Sequence, residues 1–331
     1  MRANRQHGAA LLTAMLTVTL VATFAAAALW QQWRSVEIEA AERSRTQMQW
    51  VLNGALDWAR LILQEDGRNS QVDHLSEPWA LPLQEARLSS FLAVDKSNTQ
   101  DALDAFLSGQ ISDQQGLLNV RNLVLEGKPN PSSVLAFGRL FAMLNLPKSQ
   151  LNLMVDQLLA ADAASAKPTA AANASEAAAA EATAPFKPYR LEQLTWLGLP
   201  SATVSALKPY ATLLPTPTPL NLNTASAEVL SAAVPDMDRA RAQQWAAGRA
   251  TAHFKTVADA FKAGGVRESG TGAAEAKDFS VNSRFFAVRG RLRLGDSSVQ
   301  EVSLVERVSP TVKVIWRQRE SVTAPLVGSL Q

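Results

Sequence analysis

Between Gly8 and Trp33 the chain carries no charged residue, and the run from Ala9 to Trp30, AALLTAMLTVTLVATFAAAALW, has the about 20 residues a helix needs to cross a hydrocarbon core. Whatever follows must be compatible with a membrane-embedded start. Arg2 and Arg5 lie just ahead of the run, so the excess of positive charge holds the first residues in the cytoplasm and sends the rest across. Trp30 and Trp33 fall at the far end, where indoles favour the interface. Ala25 to Ala28 also offer small residues of the kind signal peptidase cleaves after, so a removed signal peptide is the rival reading. The apolar spacing continues past Arg34 through Val36, Ala40, Met48, Val51, Ala55, Trp58 and Ile62, with no proline before Pro78. One long helix is therefore expected, half apolar all round and half amphipathic against a globular head.

The tetrapeptide Arg5-Gln6-His7-Gly8, followed directly by the apolar helix, resembles the leader of type IV prepilins and pseudopilins. That resemblance implies cleavage between Gly8 and Ala9 by a prepilin peptidase, methylation of the new N-terminus, and retention of the helix as a filament-packing element. Most such proteins carry glutamate at the fifth mature position; here it is Thr13. An uncharged fifth residue resembles the minor pseudopilin that needs no subunit ahead of it.

Two further segments make the resemblance specific. Asp73-His74-Leu75-Ser76-Glu77-Pro78-Trp79-Ala80 and Ile111-Ser112-Asp113-Gln114-Gln115-Gly116-Leu117-Leu118-Asn119-Val120-Arg121-Asn122-Leu123 resemble, in order, two runs of the type II secretion system protein K family. Read without the family, both are polar turns in which Asp and Asn bond their own backbone. The family reading implies a non-enzymatic minor pseudopilin of the bacterial inner membrane, single-pass, with a cytoplasmic N-terminus and a periplasmic head. It implies the I and J minor pseudopilins as partners, with the H protein and the prepilin peptidase beside them, and a place at the tip of the pseudopilus. No nucleic-acid partner is expected.

The fold class expected is α+β: a transmembrane and long helix, a pseudopilin αβ head with an antiparallel sheet, and a large inserted all-α domain of helix-hairpin-helix type. The boundaries are a leader at 1–8, a membrane helix at 9–33, a head at 34–123 and 278–320, an insertion at 124–277 and a tail at 321–331. Within the insertion, helices are expected from Pro131 to Leu146 and Ser149 to Leu159, then an exposed, mobile alanine-rich loop at 160–185 bounded by Pro168 and Pro185. Tyr189 to Tyr210 is expected to be helical with a turn at Pro200. After Asn221-Leu222-Asn223, Thr224 or Ser226 can cap a helix that has Glu228 in its first turn. From Arg284 the period becomes two, with Phe286, Val288, Gly290, Leu292 and Leu294 alternating with Phe285, Ala287, Arg289, Arg291 and Arg293. Two more strands, around Val302 and Leu304 and around Val312, Val314 and Trp316, complete a sheet with one wet face.

The helix, turn, helix pattern also admits a membrane-anchored periplasmic helix-hairpin-helix DNA-binding protein. Its hairpin reads Val234-Pro235-Asp236-Met237-Asp238-Arg239, with aspartates where a phosphate-cradling module carries glycine. Without Arg2 and Arg5 the 32 basic residues fall to 30, equal to the 30 acidic ones, so no global basic field is left for counterion release. Between Arg284 and Arg319, eight basic residues face Asp296, Glu301 and Glu306. This is either a solvated sheet face or, at Arg289, Arg291 and Arg293, a docking surface for an acidic partner. No cysteine and only His7, His74 and His253 leave nothing with the geometry of a catalytic site. His74 beside Asp73 and Glu77 reads as a turn rather than a metal or acid-base cluster. The family resemblance brings calcium with it, but no EF-hand spacing is present and the metal ligands stay unassigned.

Overall fold

The computed structural model describes residues 7–88, 105–165, 185–266, 275–295, 297–308 and 310–321. Residues 1–6 of the expected leader, positions 166–184 of the alanine-rich loop and the tail beyond 321 lie outside them. Two units are distinguished, one up to Ala55 and one from Leu56 onward.

Uninterrupted helix-forming composition gives α1, His7–Asn69, which contains a stretch long and apolar enough to cross a membrane. Thr13, Thr17, Thr19 and Thr23 lie inside that apolar stretch, and each hydroxyl donates to a carbonyl three or four residues back. No threonine hydroxyl there needs an outside partner, which is the condition for placing it in hydrocarbon.

In the second unit, five strands form an antiparallel sheet: β1 Leu83–Arg87, β2 Ala105–Asp113, β3 Phe285–Leu294, β4 Ser297–Val308 and β5 Thr311–Ser321. Their spatial order follows the sequence, β1-β2-β3-β4-β5. The helical part of the chain enters between β2 and β3, which are direct neighbours with Ile111 opposite Val288 and Asp113 opposite Phe286. The even-numbered face of β3 packs on the end of α1: Leu56, Ala59 and Leu63 meet Trp79, Ile111, Phe286, Val288, Val305 and Val312. The packed stripe is thus turned one position from the predicted Ala55, Trp58 and Ile62. Trp58 is 52% exposed, and Ile62 touches only the cluster's margin. In the sequence both stripes run at helical spacing, and only the sheet selects between them.

The other sheet face, expected to be wet, is partly covered. Phe285 and Leu304 are buried there with Leu214 from the helical part, and Trp316 packs against them. Residues Phe285 to Val288 are consequently buried on both faces, and the face opens to solvent only from Arg289 onward.

Between β2 and β3 stand α2 Pro131–Met143, α3 Lys148–Ser165, a 3-10 segment Leu191–Leu197, α4 Ser201–Leu207, α5 Ala227–Ala233, α6 Arg239–Thr251 and α7 Val257–Gly264. They share one core that includes Phe137, Phe141, Met154, Leu194, Leu222, Leu230, Trp245 and Phe261. α3 runs past the predicted loop boundary at 160. Ala161 is buried, and Asp162 pairs with Lys187 at 2.6 Å and Arg121 at 3.4 Å, so the last turn has tertiary partners that alanine-rich composition does not reveal. The alternatives for the cap of α5 resolve to Ser226, whose side chain accepts from the Val229 amide.

Candidate functional site, a buried polar junction

Asp73 and Asp113 both belong to the two polar runs that the sequence reads as turns, and the structure places both in the interior. Asp113 ends β2. Its Oδ1 accepts from the Gln115 amide at 2.7 Å, and its Oδ2 accepts from Asn221 Nδ2 at 3.0 Å, Thr224 Oγ1 at 2.6 Å and Ser283 Oγ at 2.6 Å. These donors come from the chain after β2, from the start of the α5 region and from the lead-in to β3. One carboxylate therefore ties the sheet to both ends of the helical part. Asn221 extends the tie, donating also to Ser283 Oγ at 2.9 Å and to the Asp73 carbonyl at 3.3 Å.

Asp73 holds the end of α1 to the same point. Its carboxylate accepts from the Ser283 amide at 2.7 Å and from Arg307 of β4 through both oxygens at 2.6 Å. Arg307 also donates to Asp66 of α1 at 2.7 Å and to the Ser283 carbonyl at 2.9 Å. Gly67 makes room for it, since a Cβ there would stand 2.8 Å from Arg307 Cδ. Gly116 has a similar role: a Cβ would meet Thr224 Oγ1 at 2.8 Å and its backbone at 3.1 Å. Asn119 and Asn122 fasten the segment Pro215-Thr216-Pro217-Thr218-Pro219, Asn119 through Thr216 and Thr218 and Asn122 through reciprocal bonds with Thr218.

Burial governs the charge states. It pushes the Asp66 carboxyl up to about 7, with Glu77 and Asp73 adding and Arg307 opposing. Burial likewise lifts Asp113 to about 6, against the hydrogen bonds from Ser283, Thr224 and Gln115. Asp73 is raised by burial and restrained by Arg307. His74 is lowered by burial, with Glu77 opposing and His253 adding. The His74 ring stacks on that of His253, 3.8 Å apart and 8° from parallel.

Asp66, Asp73 and Glu77 bring carboxylate oxygens within 4.8 Å of one another, the nearest approach to a cation site among the described residues. They do not fit calcium, which takes six to eight oxygen ligands. Two of the three carboxylates already hold the Arg307 guanidinium, and Glu77 accepts from Trp79 Nε1 at 2.7 Å and the His74 amide at 3.0 Å. The junction is built around a cation of the chain itself. Its carboxylates fasten α1, the end of β2 and the lead-in to β3 to one another.

The other predicted residues lie elsewhere. Ala9 and Thr13 are in the apolar part of α1, where Thr13 Oγ1 donates to Ala9 O at 3.1 Å and Ala10 O at 2.9 Å; Gly8 falls within the same helix. Arg293 bonds Glu85 at 2.8 Å and lies over the Phe106 ring at 4.1 Å, whereas the Arg289 and Arg291 side chains have no partner among the described residues. In the hairpin, Asp236 takes φ of 56°, and Asp238 caps α6 by accepting from the Arg241 amide at 2.8 Å. The amide that a phosphate would need is thus engaged by a carboxylate of the chain.

Matching motifs and matching architecture now meet. Two family models, both described as "Type II secretion system (T2SS), protein K", match residues 116–216 and 220–282 respectively, the region between β2 and β3 that the junction encloses. The chain belongs to the type II secretion system protein K family. Among curated relatives, the type II secretion system protein K of Pseudomonas aeruginosa is 29% identical over 315 residues, covering 91% of this chain and 89% of the relative. That of Pectobacterium carotovorum is 26% identical over 334 residues, covering 95% and 97%. In fold, the chain is similar to a chain in the crystal structure of the GspK-GspI-GspJ complex of enterotoxigenic Escherichia coli, with a TM-score of 0.62 and 18% identity over 85% of this chain and 99% of that one. As a protein K family member, the chain is a minor pseudopilin of type II secretion. The Asp113, Gly116, Asn119 and Asn122 run that signalled the family in the sequence is the same run that builds the junction.

Proposed function

We propose that this minor pseudopilin is the tip subunit that initiates the pseudopilus for export of folded proteins across the outer membrane. Prepilin peptidase cuts it between Gly8 and Ala9, and it sits in the inner membrane with a cytoplasmic N-terminus and a periplasmic head. The head spans 34–123 and 278–320, carries the insertion at 124–277 and associates with the I and J subunits. It is a structural part without catalytic activity.

The observation that carries the reading is Thr13. A glutamate there would offer its charge to the N-terminus of a neighbouring helix; the threonine hydroxyl is spent on its own helix at Ala9 and Ala10. A subunit without that charge has no electrostatic need of another ahead of it. The family match and the relative from a GspK-GspI-GspJ complex support the partner assignment. N-terminal sequencing of the protein purified from membranes tests the first step: Ala9 is expected, and a start near residue 28 would mean a cleaved signal peptide instead. Co-purification with the I and J subunits tests the second, and failure to recover either would remove the assembly role.

A further inference from the structure

A cavity of about 350 Å³ lies between the helical part and the sheet face that carries the odd-numbered residues of β3, walled by Ala287 and Arg289 of β3, Gln300 and Val302 of β4, Trp316 and Gln318 of β5, and by Arg190, Glu192 and Lys208 opposite. Its charge is unbalanced. Glu192 and Lys208 neutralise each other at 3.1 Å. Asp113 also borders the space, but its oxygens are taken by Gln115, Asn221, Thr224 and Ser283. Two guanidinium groups are left over. Arg190 is held in place, donating to Gln318 Oε1 at 2.8 Å and lying 5.1 Å over the Trp316 ring. Arg289 has no side-chain partner among the described residues.

We infer that this cavity is a recognition pocket for the side-chain carboxylate of an acidic protein segment, with Arg190 and Arg289 as the charged contacts. Both guanidinium groups donate in a planar fork that suits a carboxylate. The Gln300 amide beside them offers one donor and one acceptor, which matches a peptide group better than an inorganic oxyanion. Apolar walls at Leu191, Leu213 and Val302 suit the methylenes of a glutamate. The inference extends the assembly reading by giving it one specific contact, and it narrows the basic surface at 289, 291 and 293 to Arg289. Arg293 is committed to Glu85 and Phe106.

The test uses the full-length chain in detergent micelles with its eight tryptophan indoles labelled with nitrogen-15. N-acetyl-tetraglutamate amide is titrated in, with the tetraglutamine analogue and inorganic phosphate as separate arms, and Trp316→Phe identifies the Trp316 indole signal. That signal is expected to move saturably with tetraglutamate and to stay fixed with tetraglutamine. Arg289→Ala is expected to weaken the binding about tenfold or more, as loss of a charge-assisted hydrogen bond does, and Arg289→Lys to retain part of it. No movement with tetraglutamate overturns the inference. So does unchanged affinity in Arg289→Ala with the other indole signals in place, or a response to phosphate without one to tetraglutamate. No other subunit is present, so the outcome is independent of whether the I and J subunits bind.

Discussion

Replacing Arg307 with methionine removes the cation that Asp66 and Asp73 share, and with it the guanidinium that lies 5.0 Å over the Phe286 ring, while keeping a side chain of similar volume. Asp73 is 1% exposed, and the side chain of Asp66 is 10% exposed, so neither carboxylate can exchange the guanidinium for bulk water. Breaking a buried pair by removing one partner costs about 3–5 kcal/mol. In a unit of this size each kcal/mol shifts the melting midpoint by about 2–4 °C, so Tm is expected to fall by roughly 6–20 °C at pH 8. The loss must also depend on pH. Without Arg307 both carboxylates titrate higher still, and protonation removes the repulsion between them, so the gap to the parent narrows as pH falls toward 5. Near-ultraviolet circular dichroism of the full chain in detergent reads the transition, with Trp79, packed on Phe286 at 5.2 Å, as a local probe. A Tm within about 2 °C of the parent at pH 8, or a deficit that is the same at pH 8 and pH 5, would refute the view of Arg307 as the junction's central cation.

Gly116→Ala drives a methyl into Thr224, whose hydroxyl is fixed on Asp113, and is expected to cost about 1–3 kcal/mol in thermal denaturation. Leu63→Ala empties a fully buried position between α1 and the sheet and should cost about 2–5 kcal/mol, whereas Trp58→Ala, at an exposed position, should stay within about 0.5 kcal/mol by the same measurement. Thr13→Glu is expected to leave the head's Tm unchanged and to alter co-assembly with the other minor pseudopilins, read by co-purification; unaltered co-assembly would detach Thr13 from the tip assignment.

The parts of the fold that local pattern could carry were legible: the period-two run from Phe285 to Leu294, the capped helix at Ala227, and α1 as a single helix. β1 and most of β2 were not, because Gly109 interrupts the alternation in AFLSGQISD and β1 is a five-residue edge strand, mostly polar. The site was half legible. Asp73, Asp113, Asn119 and Asn122 stood out as motif residues, but a turn-forming aspartate and a buried tie differ only in what lies across from them. Those partners, Asn221, Ser283 and Arg307, are far along the chain at separations no window sees. Ser283 had no signal of its own. Arg307 could have been found as the one basic residue on a strand otherwise bearing Glu301 and Glu306, had its partner been known.

Burial raises Asp66, Asp73 and Asp113 and lowers His74, so the junction's groups act on stability with opposite signs, and Asp66, Asp113 and His74 also differ in pH window. Asp66 sits near 7 in the folded chain against an ordinary 3.8, so the folded state holds a proton that the unfolded state releases, and its contribution to stability is lost as pH rises from about 4 through 7. Asp113, near 6, behaves in the same way, and its loss is complete about one unit lower. His74 is opposite: its folded pKa lies below 6.5, so the unfolded state takes the proton first and stability is lost as pH falls below about 6.5. Above pH 6.5 Asp66 should therefore contribute to the slope, together with its raised neighbour Asp73, and Asp66→Asn should flatten it there. Below 6.5 His74 works against both carboxylates, so His74→Gln should steepen the rise in Tm between pH 6.5 and 5, and Asp113→Asn should flatten it. A His74→Gln profile parallel to the parent's across that interval would mean that the His74 ring, stacked on His253, titrates as it does in water, and that its burial has no energetic consequence.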